Sequence, residues 1–266
     1  MQPTWAPDTI DVSLPSAARV YDYLLGGAHN FAIDRALGDE LLQRSPEIAE
    51  TMRANRVFLR RAVQFLVNAG IRQFLDIGSG IPTVGNVHEI AQQLAPESTV
   101  VYIDIDPIAV AHSQAILADN PRAAVLAGDL REPDRIITEA RQLGLIDTDQ
   151  PVAVLLAGVL HFLPDGDNPG GLVDRLMAPL TDGSYLVISH ATNDEQPAEL
   201  VAAQQLSART ATRIHPRPYA EVRGFFAGTQ MVDPGLVFIP AWRPDHEDTV
   251  SQPERTAAYA GVGHKG

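Results

Sequence analysis

The spacing of apolar residues changes near position 71 of this chain. Before it, apolar residues recur at steps of three and four, most regularly across residues 48–66, which predicts amphipathic helices. The Ser-Pro-Glu triplet at 45–47 suits a helix start, and Gly70 suits a helix end. From Ile71 to Ala191, short apolar and β-branched runs alternate with helical stretches. Continuous apolar strands separated by helices predict a parallel sheet covered on both faces.

The chain after Ala191 carries a different pattern. We expect two helices followed by two strands, at 193–210, 216–228, 235–242 and 256–263. Taken with the five strand–helix units before them, these elements make one structural domain. Within it, residues 1–70 are predicted to form an N-terminal arm and helical lid, and residues 71–266 the α/β core.

Composition narrows the class of protein. Hydrophobic residues make up 45% of the chain and charged residues 20%, as in an ordinary globular protein. No apolar run reaches the roughly 18 residues of a membrane helix, and the first residues lack a signal-peptide pattern. The absence of cysteine excludes disulfides, thiolate catalysis and cysteine metal sites. We therefore expect a cytoplasmic protein with no membrane partner. A net charge of −13 argues against a broad nucleic-acid-binding face.

Three predicted strands end in residues suited to a nucleotide ligand. In an open parallel sheet, ligands bind beyond the carboxyl ends of the strands. The first strand ends in Asp-Ile-Gly-Ser-Gly, where Gly78 and Gly80 let the backbone turn tightly and approach a ligand. Asp104 ends the second strand and can accept hydrogen bonds from both hydroxyls of a ribose. After the third strand, the Asp129 side chain and the N–H of Leu130 can hold an adenine edge.

Residues around the first turn narrow the type of nucleotide. A dinucleotide fingerprint requires a third glycine where Thr83 stands, and the Gly-Lys-Ser/Thr of a P-loop is absent. Asp76 would repel a nearby pyrophosphate, whereas it suits a ligand with positive charge, such as a sulfonium or an amino group. A nicotinamide cofactor therefore ranks second. The Asp-Ile-Asp run at 104–106 lacks the further carboxylates and lysine of a phosphatase or metal site, so no metal is expected.

The segments FLDIGSG, YIDIDP and LAGDL resemble the nucleotide-contacting segments of class I S-adenosylmethionine (SAM)-dependent methyltransferases. In addition, ARVYDYLLGGAHNFAIDRAL, NRVFLRRAVQFL, DIGSGIPT and PGLVFIPAWRP resemble an actinobacterial family of S-adenosyl methyltransferases, formerly described as a domain of unknown function. The resemblance covers roughly residues 14–264. It implies a Rossmann-like α/β fold with a seven-stranded, mostly parallel sheet whose seventh strand is antiparallel. One departure is Pro82, where the common class I pattern has a small residue.

The resemblance also implies roles for individual residues. Gly78 and Gly80 would line the methionine part of the cofactor, Asp104 would hold the ribose, and Asp129 with Leu130 the adenine. Arg56 would reach the cofactor carboxylate, the alternative being a solvated charge, and helix capping is the alternative for Asn30. The predicted cofactor-binding residues are Asp76, Gly78, Ser79, Gly80, Asp104, Ile105, Asp129, Leu130, Ala157, Arg56 and Asn30.

Three side chains are candidates for a catalytic group. His161 follows the fourth strand, beside the expected position of the transferred methyl group, and a neutral imidazole can deprotonate a hydroxyl or amine. The alternative is a loop histidine packed against the sheet edge. His190 ends the fifth strand, and Tyr21 lies in the N-terminal segment. A group of arginines is interpreted as a solvated helix face rather than an anionic-substrate site: Arg209, Arg213, Arg217 and Arg223.

The sequence thus predicts a SAM-dependent methyltransferase that methylates an oxygen or a nitrogen of a small molecule, with no nucleic-acid partner. Two alternatives stay open at this point. A protein that binds SAM or S-adenosylhomocysteine without catalysis would keep every predicted pocket residue. A nicotinamide-dependent oxidoreductase would need the glycine that position 83 lacks. The methyl acceptor and the oligomeric state are not predicted.

Overall fold

The computed structural model describes residues 13–82, 85–194, 213–246 and 252–266. The predicted helix over 193–210 falls almost wholly outside these residues. Before the sheet come three helices, α1 (Ala17–Leu24), α2 (Ala32–Arg44) and α3 (Ile48–Asn68). Within the described residues, no helix has the length and apolar character that crossing a membrane requires.

Helix α3 is amphipathic in the way its sequence predicts. Its buried side chains include Phe58, Ala62 and Leu66, spaced four residues apart. The helix ends at Asn68, and Gly70 just beyond it has a φ of 96°, which only glycine adopts without strain. The N–H of Gly70 donates to the Val67 carbonyl and the N–H of Ile71 to the Leu66 carbonyl, both at 3.0 Å. This Schellman motif turns the chain into the first strand.

Five parallel strands form most of the sheet, in the spatial order β3-β2-β1-β4-β5. They are β1 (Gln73–Ile77), β2 (Thr99–Asp104), β3 (Ala123–Ala127), β4 (Val152–Ala157) and β5 (Tyr185–Ala191). The helices between them are α4 (Val87–Leu94), α5 (Pro107–Leu117), α6 (Pro133–Gln142) and α7 (Pro169–Met177). Strand order reverses between β1 and β4, where open sheets bind ligands at their carboxyl ends.

The remaining strands close the far side of the sheet. After helix α8 (Tyr219–Gly224) come β6 (Gln230–Met231), β7 (Val237–Phe238) and β8 (Ala258–His264). Strand β8 lies antiparallel beside β5, and β6 and β7 both pair with its other edge. The prediction of a mostly parallel α/β sheet with an antiparallel last strand is confirmed.

The predicted strand at 235–242 is wrong in its length. Only Val237 and Phe238 are extended, because residues Ile239–Ala241 form a short 3-10 turn. That turn sends Trp242 into the core, where its ring packs edge-on against Phe58 of α3. The far edge of the sheet consists of two short strands, β6 and β7, separated by residues 232–236, and the sheet has eight strands among the described residues rather than seven.

Side chains of alternate strand residues face two separate layers of the core. Leu75 of β1 joins an apolar cluster with Ile136 of α6 and Leu176 of α7. Phe74, its neighbour, joins a cluster on the other face with Leu66 of α3. Helices thus cover both faces of the parallel strands, as continuous apolar strands require.

Helices α1 and α2 are joined by a buried ion pair. The Nε of Arg19 donates to Asp34 at 2.9 Å, and both side chains are nearly inaccessible to solvent. Asp34 also accepts the backbone N–H groups of Ser16 and Phe31, at 3.0 and 2.8 Å. The Ser16 hydroxyl then donates to Asp106 of the core at 2.5 Å. The first two helices are thereby tied to the loop that follows β2. The boundary at residue 70 between a helical lid and the α/β core of one structural domain stays a prediction.

Candidate active site

A cavity of about 680 Å³ lies at the carboxyl ends of the parallel strands. The residues that line it include the ends of β1 to β5 and the loops that follow β1 to β4, together with side chains from α1, α2 and α3. Of the residues predicted from the sequence, all but one line this cavity: Tyr21, Arg56, Asp76, Gly78, Ser79, Gly80, Asp104, Ile105, Asp129, Leu130, Ala157, His161 and His190.

The turn after β1 needs glycine at two positions for different reasons. Gly78 and Gly80 have φ angles of 72° and 67°, which favour glycine. A Cβ on Gly78 would lie 2.4 Å from a methyl group of Val159, so the loops after β1 and β4 pack too closely for a side chain. A Cβ on Gly80 would meet no atom within 4 Å. Between them, the buried Ser79 hydroxyl has no hydrogen-bond partner among the described residues.

Asp104 connects the ends of β1 and β2. One carboxylate oxygen accepts the N–H of Gly80 at 2.6 Å, and the other accepts the N–H of Asp106 at 2.8 Å. Burial raises the pKa of Asp104 to about 6, although these two N–H groups oppose the rise. Each oxygen keeps a second lone pair, so the side chain can still accept hydrogen bonds from a ligand.

Asp76 is the more deeply perturbed carboxyl group of the site. Its pKa is raised to about 7, chiefly by burial and to a smaller extent by the Asp104 carboxylate, against the opposing effect of the Arg56 guanidinium. Arg56 also donates to the Gly85 carbonyl at 3.2 Å. Asp76 is thus a half-titrated acid near neutral pH, and a positively charged ligand would favour its ionised form.

The loop after β3 is held in place by an ion pair between Asp129 and Arg131. Asp129 accepts the backbone N–H of Arg131 and its guanidinium, both at 2.9 Å. The same guanidinium pairs with Asp167 at 2.8 Å, so Arg131 bridges the loops after β3 and β4. Leu130 is buried, whereas Ile105 is 65% exposed on the loop after β2.

His161 lies in the cavity wall as a neutral imidazole. Burial, and to a smaller extent the nearby Arg217 and His215, lower its pKa to about 4. Its Nδ1 accepts the N–H of Ala191 at 3.4 Å. Catalytic bases work best when their pKa lies near the operating pH, so His161 is a weak proton acceptor in this environment. Its assignment as the base stays a prediction.

The structure argues against His190 as a base. Its Nδ1 lies 2.7 Å from the Ala191 carbonyl and donates to it, and its Nε2 lies 3.1 Å from Nη1 of Arg217 and accepts from it. The ring is 1% exposed, and burial holds its pKa well below the ordinary range. Both nitrogens are occupied, so no lone pair is left for an acceptor proton.

Tyr21 belongs to a chain of hydrogen bonds along the cavity wall. Its hydroxyl donates to the Met52 carbonyl at 3.1 Å and accepts from the Asn55 amide at 3.3 Å. The Asn55 carbonyl in turn accepts from the Ser189 hydroxyl at 2.6 Å. Burial raises the pKa of Tyr21, which keeps the phenol protonated. Neither Asn55 nor Ser189 was predicted as a site residue; Ser189 lies in a predicted strand just before His190, and Asn55 begins the NRVFLRRAVQFL segment that carries part of the resemblance.

Two sequence interpretations need correction. Arg217 is not on a solvated face: it is 3% exposed, and its guanidinium donates to the Leu163 carbonyl and to Asp165, each at 2.7 Å. Its position among prolines, outside any helix, buries it against the loop after β4 (Arg209 lies outside the described residues). Asn30 does not line the cavity, because its amide donates to Asp22 and to the Gly27 carbonyl, at 2.9 and 3.0 Å.

In the part of the chain that the structure describes, no group of three or more His, Asp or Glu side chains could hold a metal ion. The cavity therefore offers glycine turns, buried carboxyl groups and hydrogen-bonding side chains as its binding chemistry.

Comparison with known proteins places the chain among methyltransferases. A family model described as S-adenosyl methyltransferase matches residues 3–266. A provisionally named methyltransferase from Thermobifida fusca is 37% identical, with a TM-score of 0.92 and 99% of each chain covered. A DUF574 family protein from Streptomyces avermitilis is 39% identical, with a TM-score of 0.91, and the match covers 96% of this chain and 99% of that one. Both organisms are actinobacteria, as the resemblance implied.

A more distant similarity involves an RNA-modifying enzyme. Ribosomal RNA small subunit methyltransferase H from Halorhodospira halophila is 33% identical over 125 residues, which are 47% of this chain. The chain spans only 35% of the length of that curated relative.

These matches confirm the resemblance, the fold class and the cofactor predicted from the sequence, and they leave the nicotinamide alternative without support. A family model that spans nearly the whole chain, together with two solved structures that share its fold from end to end, shows that this chain belongs to the S-adenosyl methyltransferase family, with SAM as its cofactor.

Proposed function

We propose that this methyltransferase transfers the methyl group of SAM to an oxygen or nitrogen of a small molecule. The observation that carries the proposal is the shape of the site: one cavity continues from the strand ends into a space walled by α1, α2 and α3. A cofactor at the strand ends leaves that space for a second, small ligand.

The residues at the strand ends fit SAM. Gly80 leaves open space where a side chain would stand, and the Ser79 hydroxyl has hydrogen-bonding capacity to offer. Asp76 and Asp104 supply negative charge for a ligand that carries a sulfonium and an amino group. Arg56, which lines the same region, is the proposed partner of the cofactor carboxylate.

When bound, SAM supplies a methyl group on a positively charged sulfur; transfer forms a bond from the methyl carbon to the acceptor atom and breaks the carbon–sulfur bond, whose electrons stay on sulfur. The chain's own contribution is to align the acceptor and to exclude water. Helices α1–α3 provide the cover. His161 can hydrogen-bond the acceptor, whose proton leaves to a weak base or to water.

A small acceptor is favoured over RNA by charge and enclosure. RNA binding draws most of its affinity from Lys and Arg contacts with phosphates. This chain has 33 acidic and 20 basic residues, and the loop after β2 adds Asp104 and Asp106 to the cavity wall. The name of the distant relative gives ribosomal RNA as that protein's substrate, so RNA is the alternative that the test must include.

The test uses SAM labelled in its methyl group, incubated with the purified protein and an actinobacterial cell extract. The extract is then separated into small molecules, protein and ribosomal RNA. We expect label in the small-molecule fraction; label in RNA or protein alone would refute the proposal. Calorimetric titration with SAM, S-adenosylhomocysteine and NAD accompanies it, with micromolar binding expected for the first two and none for NAD.

A further inference from the structure

The cavity has a second half that the cofactor residues do not explain. Its walls are apolar side chains of the first three helices, and we call this space the acceptor chamber: Val20, Leu24, Leu37, Leu41, Ile48 and Met52. Four of these, Val20, Leu24, Leu37 and Leu41, are buried in one apolar cluster. The chamber therefore offers hydrocarbon surface to whatever enters it, and hydrocarbon surface favours an apolar ligand.

Four ionisable groups that line the cavity together with these apolar side chains, Arg19, Tyr21, His161 and His190, offer no charge that a ligand could use. Arg19 is neutralised by Asp34 at 2.9 Å and donates to the Leu14 carbonyl at 2.7 Å. Tyr21 keeps its proton, because burial raises its pKa. His161 and His190 are neutral, because burial lowers the pKa of both. A charged ligand would lose its hydration here without gaining a counter-charge.

Asn55 lies beside Gly158 in the cavity wall. A Cβ built on Gly158, at the end of β4, would lie 3.4 Å from Nδ2 of Asn55 and 3.7 Å from Cε1 of His161. These two side chains thus border the space above Gly158. The glycine has a φ of 76°, and its missing side chain leaves that space open to a ligand.

The Asn55 amide is held in one orientation. Its Oδ1 accepts from the Ser189 hydroxyl at 2.6 Å, and its Nδ2 donates one hydrogen to the Tyr21 hydroxyl at 3.3 Å. An amide nitrogen has two hydrogens, so the second can bind a ligand oxygen. Asn55 is buried, and a ligand that approaches it without a hydrogen-bond acceptor would leave that donor unsatisfied.

We propose that the methyl acceptor is an uncharged, mainly apolar molecule with one hydroxyl or amide group, and that Asn55 binds the oxygen of that group above Gly158. The hydrocarbon part occupies the acceptor chamber. This inference rests on the proposed function, since it names the substrate class of the same cavity. It also assigns Asn55 as an acceptor-binding residue.

The first test compares ligands of similar size and different charge. The probes are 1-naphthol, 1-naphthoate and 1-naphthylmethylammonium, titrated at pH 7.5 by calorimetry into protein saturated with S-adenosylhomocysteine. We expect 1-naphthol to bind at least tenfold more tightly than either ion. Equal or tighter binding of an ion, or binding of none of the three, would overturn the proposal.

The second test isolates the role of Asn55. In Asn55→Ala, the affinity for 1-naphthol should fall at least fivefold, whereas the affinity for naphthalene, which has no hydroxyl group, should stay unchanged. Asn68→Ala is the matched control, because Asn68 is an exposed asparagine on the same helix. A parallel loss for both ligands would mean that Asn55 only supports the fold, which contradicts its assigned contact.

Titration with S-adenosylhomocysteine separates this inference from the proposed function. Its binding should be the same in wild type, Asn55→Ala and Asn68→Ala. If it binds and label from SAM reaches small molecules, but charged ones, the proposed function stands and the inference on acceptor class fails. If it does not bind to the wild type, both fail.

Discussion

The strand-end half and the acceptor chamber belong to one cavity, but different parts of the chain line them. At the strand ends, the backbone itself forms the site: Gly78 and Gly80 at positive φ, and Asp104 fastened to the N–H of Gly80 at 2.6 Å. In the chamber, side chains such as Leu37 and Met52 form the wall, with no special backbone conformation. A backbone site tolerates few residue types at each position, whereas an apolar wall accepts many.

This difference also separates the two binding tasks. The strand-end half presents two acids whose pKa values are raised by burial, so its affinity for a cation depends on pH. The chamber presents neutral groups, so its affinity should be insensitive to pH in the same range. A substitution in one half should therefore leave the affinity for the ligand of the other half largely unchanged. The Asp104→Ala and pH predictions below test that independence.

The largest effect is expected from Gly78→Ala. The substitution adds a left-handed backbone cost of about 1–2 kcal/mol and an overpacking cost of about 1–3 kcal/mol, since the new Cβ would lie 2.4 Å from Val159. We expect the free energy of unfolding to fall by about 3 kcal/mol in urea titrations. Gly85→Ala is the control, because its φ is 81° but a Cβ there meets no atom within 4 Å. Equal losses in the two variants would show that contact with Val159 is unimportant.

A comparable loss is expected from Arg217→Ala, behind the loop after β4. The guanidinium donates to the Leu160 and Leu163 carbonyls and to His190, and these buried acceptors would lose their donor. We expect about 2–3 kcal/mol of destabilisation. The pKa of His190 should also rise, since Arg217 helps to lower it, which NMR titration can follow. Arg213→Ala should change neither quantity, because Arg213 is exposed.

Asp104→Ala should weaken the binding of the cofactor but not the binding of 1-naphthol. We expect SAM and S-adenosylhomocysteine to bind at least tenfold more weakly, a loss of about 1.4 kcal/mol, while 1-naphthol affinity changes less than twofold. Asp119→Ala, an exposed acid after α5, is the control. Calorimetry measures both ligands. If 1-naphthol binding falls as steeply as SAM binding, the two halves are not independent.

The smallest effect is expected from the pH dependence of SAM affinity. SAM affinity should rise between about pH 5.5 and 8 as Asp76 and Asp104, with pKa values of about 7 and about 6, become ionised. Asp76→Asn should flatten this rise, and 1-naphthol affinity should stay level across it. A pH-independent SAM affinity in the wild type would contradict the assigned role of the two acids.

Stability should change with pH in the opposite direction through the same two groups. Because their folded pKa values lie above the unfolded value of 3.8, the folded protein binds more protons than the unfolded chain between about pH 4 and 7. Their contribution therefore falls as pH rises. His161, whose folded pKa of about 4 lies below its unfolded value, contributes stability that rises with pH. Comparing wild type with Asp76→Asn by thermal unfolding isolates the acid's share.

Much of the cofactor half could be predicted because its chemistry is local in sequence. The glycines after β1 and the acid that ends β2 lie directly after apolar strands, and parallel strands bring their carboxyl ends to one edge. Asn30 is the exception. It follows the Gly26-Gly27 pair, but its amide donates to Asp22 at 2.9 Å and does not reach the cavity. Its contact is local, and the sequence offers no way to tell it from a ligand contact.

The residues that sequence reasoning missed act through distant partners. Asn55 contacts Ser189, which lies 134 positions away, and Arg217 contacts His190 and the loop after β4. The arginine stood among others that suggested a solvated face, and only packing shows that it is buried. The short length of β7 has a similar cause, since the turn at Ile239–Ala241 ends the strand and places Trp242 against Phe58 of α3.

The sequence by itself determined the alternation of strands and helices, the parallel sheet and the glycine and acid positions, because periodicity and backbone conformation act over a few residues. Only the tertiary structure decided that α1, α2 and α3 line an acceptor chamber, which histidine has both ring nitrogens in hydrogen bonds, and which arginine is buried. Those properties depend on which distant side chains meet and on how much water they exclude. Both are set when the chain packs and neither is encoded at any one position.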